Sequence, residues 1–357
     1  MIFWQIIKLP EKAIKIESER KKREETVDNI IITLLPMLFA LLGTAVTLHF
    51  LIPVLKSKKM GQKILDIGPR WHKDKEGTPT MGGIAFLIFV ALSSLSVTVF
   101  LFFTEKITKG ELYGILFTVV YALLNGLIGI TDDARKLKRK QNEGLTAKEK
   151  YLLQLSVSLI YIVALVMFKV VDTTLYIPFW GKNIQLSYFW YLFAILFLTG
   201  FGNAVNLTDG IDGLCGAVSG AVAVFFIAYT LRGGNIGGTV LSSALFGGCI
   251  GFLVYNLHPA KIFMGDTGSL FLGALISGMT LMLGDPIILF FVGLIYFLEA
   301  ASVIIQVLGF KLTGKRVFLM APLHHHFEKR GLSEGRITFL SVAVTVLVSI
   351  GVYYLTK

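Results

Sequence analysis

The chain has 357 residues, of which 54% are hydrophobic and only 16% charged, and its mean hydropathy of +0.72 excludes an ordinary soluble domain. Its net charge of +11 is no sign of nucleic-acid binding, because the lysines and arginines gather in short loops between apolar stretches, where anionic lipid headgroups account for them. The two cysteines, Cys215 and Cys249, fall inside apolar stretches as small hydrophobes, with no disulfide or zinc pattern.

Residues 1–29 read as a charged tail in which Ile2, Phe3, Trp4, Ile6 and Ile7 could anchor an interfacial helix. The tail is too polar for a secretory signal, so the first span is expected to stay in the mature protein. Residues 30–357 read as one all-α integral membrane domain. A spanning helix needs about 20 mostly apolar residues, and ten stretches qualify: 30–52, 80–103, 113–131, 151–169, 188–206, 213–231, 239–257, 267–284, 286–308 and 337–356.

Basic residues in short loops favour the cytoplasmic side. They crowd into 53–79 (Lys56, Lys58, Lys59, Lys63, Arg70, Lys73, Lys75), 132–150 (Arg135, Lys136, Lys138, Arg139, Lys140, Lys148, Lys150) and 309–336 (Lys311, Lys315, Arg316, Lys329, Arg330, Arg336), whereas the alternate loops are nearly bare. These three loops are therefore expected in the cytoplasm, with both termini outside. The tail conflicts with that topology, because Lys8, Lys12, Lys15, Arg20, Lys21, Lys22 and Arg23 favour the inside. Glycine pairs at a spacing of four, Gly216 with Gly220 and Gly247 with Gly251, would let helices approach closely, but a chain with 36 glycines produces such pairs by chance.

The same topology brings five carboxylates to the cytoplasmic face: Asp132, Asp133, Asp209, Asp212 and Asp266. Ionisable groups are costly in a bilayer and usually serve a function. Asp132 and Asp133 end the third span, where the helix dipole favours cations instead. On this segment alone they are either a solvated helix end paired with Arg135 and Lys136, or a phosphate or metal site with Lys136 as charge partner. After the fifth span, Asn203-Ala-Val-Asn206-Leu-Thr-Asp209-Gly-Ile-Asp212-Gly213 holds two aspartates on one side of a helical turn, between glycines that let backbone amides approach a ligand. A plain capping loop would need one such residue.

Asp266 is placed to open the eighth helix, either as an N-cap or as a metal ligand, since Mg²⁺ takes one or two carboxylates plus phosphate oxygens. The turn Lys75-Glu-Gly-Thr-Pro-Thr80-Met-Gly-Gly83 could cradle a diphosphate on the same face. His324, His325 and His326 are consecutive, so their side chains diverge too far to share one metal readily, and hydrogen bonding to phosphate or sugar suits them better. Glu299 and Gln306 share a stripe of the ninth span, where Glu299 is either a neutral core residue or part of a site.

These motifs resemble those of the phospho-N-acetylmuramoyl-pentapeptide transferases, within the polyprenyl-phosphate N-acetylhexosamine-1-phosphate transferase superfamily. The likeness covers nearly everything from about residue 30 onward. It rests on Thr78-Pro-Thr-Met-Gly-Gly83, Asp132-Asp133 with Lys136, the stretch from Asn203 to Gly213, Phe263-Met-Gly-Asp266-Thr-Gly-Ser269 and Pro322-Leu-His-His-His326, in the family's order. The resemblance implies a ten-helix, multi-pass enzyme of the bacterial plasma membrane, often a homodimer, with cytoplasmic catalytic loops. Its implied reaction moves phospho-MurNAc-pentapeptide from UDP to undecaprenyl phosphate with Mg²⁺, releasing UMP and leaving lipid I.

By the same resemblance, Asp266 would be the metal ligand, Asp132 and Asp133 the carboxylates nearest the reacting phosphates, and His324, His325 and His326 the residues at the diphosphate and sugar end. Lys75, Lys136 and Lys150 would handle phosphate charge, with Asn206, Asp209 and Asp212 around the nucleotide and cleft. Thr80, Asn256, Phe263, Gly265 and Gln306 complete the expected substrate-binding set. Two rivals differ in class or substrate. A sister enzyme would transfer N-acetylhexosamine-1-phosphate to the same lipid, although the triple histidine and the Thr78–Gly83 turn favour the muramoyl enzyme. A secondary transporter would place polar groups near the bilayer midplane, where only Glu299 lies deep among the acidic residues.

Overall fold

The computed structural model describes residues 2–58, 75–139 and 144–356, residues 2–27 and 139 as backbone only. The side chains of residues 1–27, that of Arg139, and Lys59, Lys63, Arg70, Lys73 and Lys140 of the basic loops lie outside the described residues. The described chain is helical almost throughout: α1 (Ile2–Ser57), α2 (Gly83–Phe103), α3 (Lys109–Arg139), α4 (Ala147–Met167), α5 (Tyr188–Thr208), α6 (Leu214–Arg232), α7 (Ile236–Asn256), α8 (Gly265–Met282), α9 (Pro286–Val292), α10 (Leu294–Thr313), α11 (Leu323–Lys329) and α12 (Glu334–Leu355). A short antiparallel hairpin of β1 (Thr174–Ile177) and β2 (Lys182–Gln185) fills the loop before α5. α1 runs without a break across the expected tail boundary at residue 29.

Local chemistry starts the helices. Thr146 and Glu149 form a reciprocal capping box at α4, with Glu149 N–H donating to Thr146 Oγ1 at 3.2 Å and Thr146 N–H to Glu149 Oε2 at 2.8 Å. Asn235 opens α7 by accepting from the Gly238 amide at 2.7 Å.

Nine of the described helices are long and apolar enough to cross a membrane, against ten expected stretches. The difference lies at α8, which forms over the expected 267–284 but starts at Gly265 with Asp266 in its first turn and carries Ser269, Ser277 and Thr280, all fully buried. α2, α3 and α5 enclose α8, so it meets protein rather than lipid and has no need of a continuous apolar surface. The expected span 286–308 is also divided. Gly293 leaves helical geometry between α9 and α10, and a Cβ there would stand 2.6 Å from the Leu289 carbonyl oxygen.

α7 is the second buried helix, and here the glycine spacing has a physical role. A Cβ on Gly247 would meet the Met37 carbonyl oxygen at 2.0 Å and one on Gly251 the Leu41 carbonyl at 2.6 Å, so these two residues let the backbone of α1 cross α7 directly. Gly216 and Gly220 face only side chains, at 3.1 Å and 3.8 Å.

Two polar latches define the end of the bundle away from the acidic residues. Asp28, where the first span begins, pairs with Lys106 beyond α2. Arg232 at the end of α6 donates to the carbonyls of Tyr353 and Thr356 that close α12 and lies 4.2 Å from the centre of the Tyr353 ring. The first and last spans therefore meet the same end of the bundle, and Asp132, Asp133 and Asp266 stand at the other.

Candidate active site

α3 carries Asp132, Asp133 and Lys136 in its last turns, and its Gly129 lies directly against the first turn of α8. This contact lets Asp133 cap α8 from outside. Its carboxylate accepts from the amides of Asp266 at 3.2 Å and Thr267 at 2.9 Å, and from Thr267 Oγ1 at 2.7 Å. Asp266 is thus not the N-cap of α8: the helix begins at Gly265, whose φ of +73° suits glycine, and a Cβ there would stand 2.6 Å from Asp133 Oδ2 and 3.0 Å from Thr80 Oγ1. With capping done by Asp133, the Asp266 side chain is left to face the site.

Asp266 Oδ2 accepts from Lys136 Nζ at 2.9 Å and Lys150 Nζ at 3.0 Å, and Oδ1 from Asn206 Nδ2 at 2.9 Å. Asn206 also donates to Ser269 Oγ at 2.7 Å, which ties α5 to α8 beneath the carboxylate. Asp132 Oδ1 accepts from the Leu145 amide at 2.7 Å. Its buried Oδ2 forms an ion pair with Lys136 Nζ at 2.6 Å. Carboxylate oxygens of Asp132, Asp133 and Asp266 come within 4.8 Å of one another. Three such anions against two ammonium groups leave a negative excess, and the Asp132 oxygen has unused acceptor capacity. An all-oxygen set of this kind fits a hard divalent cation.

The loop between α5 and α6 joins this cluster to a second one. Asp209 keeps part of its surface exposed, yet loss of water around it pushes its carboxyl up to about 8, with the charges of Asp266, Asp133 and Asp212 adding to the effect. Asp212 is buried and engaged on every side: Lys75 Nζ at 2.7 Å, His258 Nδ1 at 3.0 Å, and the Ala260 amide donating at 3.0 Å. Glu334, in the first turn of α12, accepts from Lys75 Nζ at 2.6 Å and from the Asp212 amide at 2.8 Å. Lys75 therefore sits with Asp212 and Glu334 and not beside the three clustered carboxylates.

Several expected residues hold the frame. Asn256 is buried, accepting from the Gly213 amide at 3.1 Å and donating to the Ile262 carbonyl at 2.9 Å. The amides of Gly82 and Gly83 donate to the carbonyls of Phe263 at 2.9 Å and Met264 at 3.0 Å, and the Phe263 amide to Pro79 at 2.8 Å. The Thr78–Gly83 turn thus spends these amides bracing the entry to α8, which leaves Gly82 and Gly83 no N–H for a diphosphate. Gln306 clamps the segment before α11, accepting from the amides of Val317 at 3.1 Å and Phe318 at 2.8 Å.

The three histidines take separate hydrogen-bond partners, although the rings of His324 and His325 lie only 4.2 Å apart, edge to face. His324 is buried with Nδ1 3.1 Å from Glu299 Oε2 and its amide donating to the same carboxylate, so Glu299 is a paired core residue. His325 Nδ1 lies 2.6 Å from Glu328 Oε2, and His326 Nδ1 accepts from the Leu319 amide at 3.2 Å. His324 Nε2 has no hydrogen-bond partner and rests against Gly210, where an added Cβ would stand 2.1 Å away. Gly210→Ala is therefore expected to displace the Asp209–Gly213 loop or the imidazole and to cut turnover by about a hundredfold, as misplacements near 1 Å do. Initial rates of the purified variant check this, and a rate within threefold of the parent would show that the contact is dispensable.

Sequence reasoning missed His258 and Glu334. The only local signals were a histidine in the Asp266 turn and an acidic residue at a helix start, and neither points to Lys75 or Asp212.

Comparison with known proteins adds the decisive observation. Residues 112–284, from α3 to the end of α8, match the model of glycosyl transferase family 4, and residues 75–87 match phospho-N-acetylmuramoyl-pentapeptide-transferase signature 1. The phospho-N-acetylmuramoyl-pentapeptide-transferase of Staphylococcus aureus (strain MSSA476) is 40% identical over 315 residues, covering 87% of this chain and 95% of the relative. That of Staphylococcus carnosus (strain TM300) is 42% identical over 303 residues, 84% and 92% of the two chains. The chain belongs to the phospho-N-acetylmuramoyl-pentapeptide transferase family. As a member of that family it is a multi-pass membrane enzyme, a phosphoglycosyl transferase, and the transporter alternative falls away. Within this transferase both matched regions meet at one place: the signature segment braces the start of α8, and the larger match carries all three clustered aspartates.

Proposed function

We propose that the protein transfers phospho-MurNAc-pentapeptide from UDP-MurNAc-pentapeptide to undecaprenyl phosphate, giving lipid I and UMP, at the cytoplasmic face of the bacterial plasma membrane. The observation that carries this reading is the meeting of Asp132, Asp133 and Asp266 within 4.8 Å, with Lys136 and Lys150 on the same carboxylate. The names of the relatives supply the substrate class, and the basic loops on the acidic side of the bundle support the sidedness.

In the reaction, an oxygen of the lipid phosphate attacks the sugar-bearing phosphorus of the UDP-sugar. The bond from that phosphorus to the bridging oxygen breaks, and UMP leaves with its electron pair. Charge repulsion opposes the attack, because each phosphate monoester carries about −1.5 to −2 at neutral pH. Mg²⁺, when held by Asp266 with Asp132 or Asp133, supplies positive charge to the diphosphate. Lys136 and Lys150 add fixed positive charge at the same place, and Asn206 holds Asp266 in orientation. Asp132 takes any proton left on the lipid phosphate, whose second pKa near 6 leaves it mostly dianionic. A direct, one-step displacement follows, and a phosphosugar trapped on Asp132 or Asp133 in the absence of lipid would refute it. The homodimer belongs to the same reading, and a monomer mass in detergent at every concentration assayed would exclude it.

The test is UMP release by purified protein in detergent with undecaprenyl phosphate and Mg²⁺. Release from UDP-MurNAc-pentapeptide is expected, with none from UDP-N-acetylglucosamine, loss on chelation and recovery on adding Mg²⁺. Release from UDP-N-acetylglucosamine alone would assign the chain to hexosamine-1-phosphate transfer instead.

A further inference from the structure

α4 meets the rest of the protein along an unusual stripe. Lys150, Gln154, Ser158 and Tyr161, spaced along one face, all turn inward; Gln154 is 2% exposed, Ser158 0% and Tyr161 3%. Leu152, Leu159, Ile160, Val163 and Met167 are exposed on the surface that would face lipid. Each inward residue has a partner on another helix. Tyr161 OH donates to the Gly278 carbonyl at 2.9 Å and lies 2.8 Å from Thr118 Oγ1, and Ser158 Oγ is 3.3 Å from Tyr121 OH. Asn203 Nδ2 donates to Gln154 Oε1 at 2.9 Å, and Gln154 Nε2 returns a longer bond of 3.5 Å to Asn203 Oδ1.

The Gln154–Asn203 pair lies one rung beneath the site. α4 runs away from the clustered aspartates and α5 runs toward them, so Gln154, four residues beyond Lys150, faces Asn203, three residues before Asn206. At 1.5 Å per residue the two rungs stand about 6 Å apart. The upper rung belongs to the proposed site: Lys150 Nζ contacts Asp266 Oδ2 at 3.0 Å and Asn206 Oδ1 at 3.4 Å. In lipid, helices are not driven together by the hydrophobic effect, and leucines facing acyl chains are indifferent to axial sliding. A reciprocal amide pair is not indifferent, because both bonds form only when the two side chains stand at matching heights.

We propose that Gln154 and Asn203 are positioning residues that set the axial register of α4 against α5 and thereby place Lys150 on Asp266. The consequence for turnover rests on the transferase reading above; the placement of Lys150 does not. The test uses the full chain, purified in detergent, and the rate at which a small amine-reactive reagent modifies Lys150, read by peptide mass spectrometry with Lys136 as internal reference. Gln154→Leu is expected to raise modification of Lys150 at least threefold relative to Lys136 and to lower UMP release. The exchanged double variant, Gln154→Asn with Asn203→Gln, restores a reciprocal pair and is expected to return both readings toward the parent, whereas Gln154→Asn alone is not. If Gln154→Leu does not give a monodisperse protein, the comparison of Gln154→Asn with the exchanged pair decides. Unchanged Lys150 reactivity in the single variants, or no recovery in the double, would overturn the proposal. Absence of UMP release from any substrate, with the reactivity pattern intact, would count against the transferase reading alone.

Discussion

Asp266→Asn is expected to lower UMP release by about a thousandfold while leaving the protein folded, the size of effect seen when a group facing the developing charge is removed. The substitution keeps the shape of the side chain and an oxygen able to accept from Asn206 or a lysine. It removes the carboxylate that touches both Lys136 and Lys150. Lys136 keeps Asp132 as an ion-pair partner, whereas Lys150 keeps only Asn206 among the contacts described above. Two lysines beside a neutral amide repel a divalent cation, so the Mg²⁺ concentration giving half-maximal rate is expected to rise along with the loss of turnover. Initial rates across a Mg²⁺ titration check both effects. A variant within tenfold of the parent rate at any Mg²⁺ concentration would remove Asp266 from the chemistry.

The second large effect is expected from a residue with no functional group. A Cβ on Gly129 would stand 2.2 Å from the Asp266 carbonyl oxygen and 2.5 Å from the Thr267 amide nitrogen, so Gly129→Ala forces α3 and α8 apart. The obstacle is backbone, which cannot rotate aside. Overpacking of this kind costs about 1–3 kcal/mol, and separation also stretches the bonds by which Asp133 caps α8, a contact worth roughly 1 kcal/mol in comparable caps. Gly129→Ala should therefore lower both the thermal midpoint in detergent and the transfer rate, the latter at least a hundredfold. Gly126→Ala, one turn earlier, is the control, since its Cβ would clash only with the flexible end of Leu87 and make an ordinary contact with Phe271 Cβ at 3.5 Å. Equal behaviour of the two variants would show that the α3–α8 approach is not what holds the aspartates together.

How much of this was legible in the sequence depended on the range of each interaction. The helices were legible because lipid imposes long apolar runs, and the five aspartates because charge at the ends of such runs stands out. α8 was legible as a helix, but not its full enclosure by protein, since enclosure depends on neighbours. The break at Gly293 was hidden because the hydropathy continues smoothly across it and no proline marks it. The capping of α8 was left open for a similar reason: Asp266 sits where a local cap belongs, and the residue that performs the task, Asp133, comes from another helix. Lys75 was expected by the resemblance to handle phosphate charge. Its partners Asp212 and Glu334 lie 137 and 259 residues away, a separation that local pattern cannot bridge. The Glu299–His324 pair spans 25 residues and was left open for the same reason.

The position of Glu334 also bears on how the enzyme comes into being. Lys75 precedes α2, Asp212 lies between α5 and α6, and the carboxylate that bridges Lys75 to the Asp212 amide belongs to α12, the last of the described spans. A chain inserted helix by helix as it leaves the ribosome holds Lys75 and Asp212 in place while the bridging group is still untranslated. That corner closes only once residue 334 has been made, so a polypeptide shorter than that lacks the group that completes it.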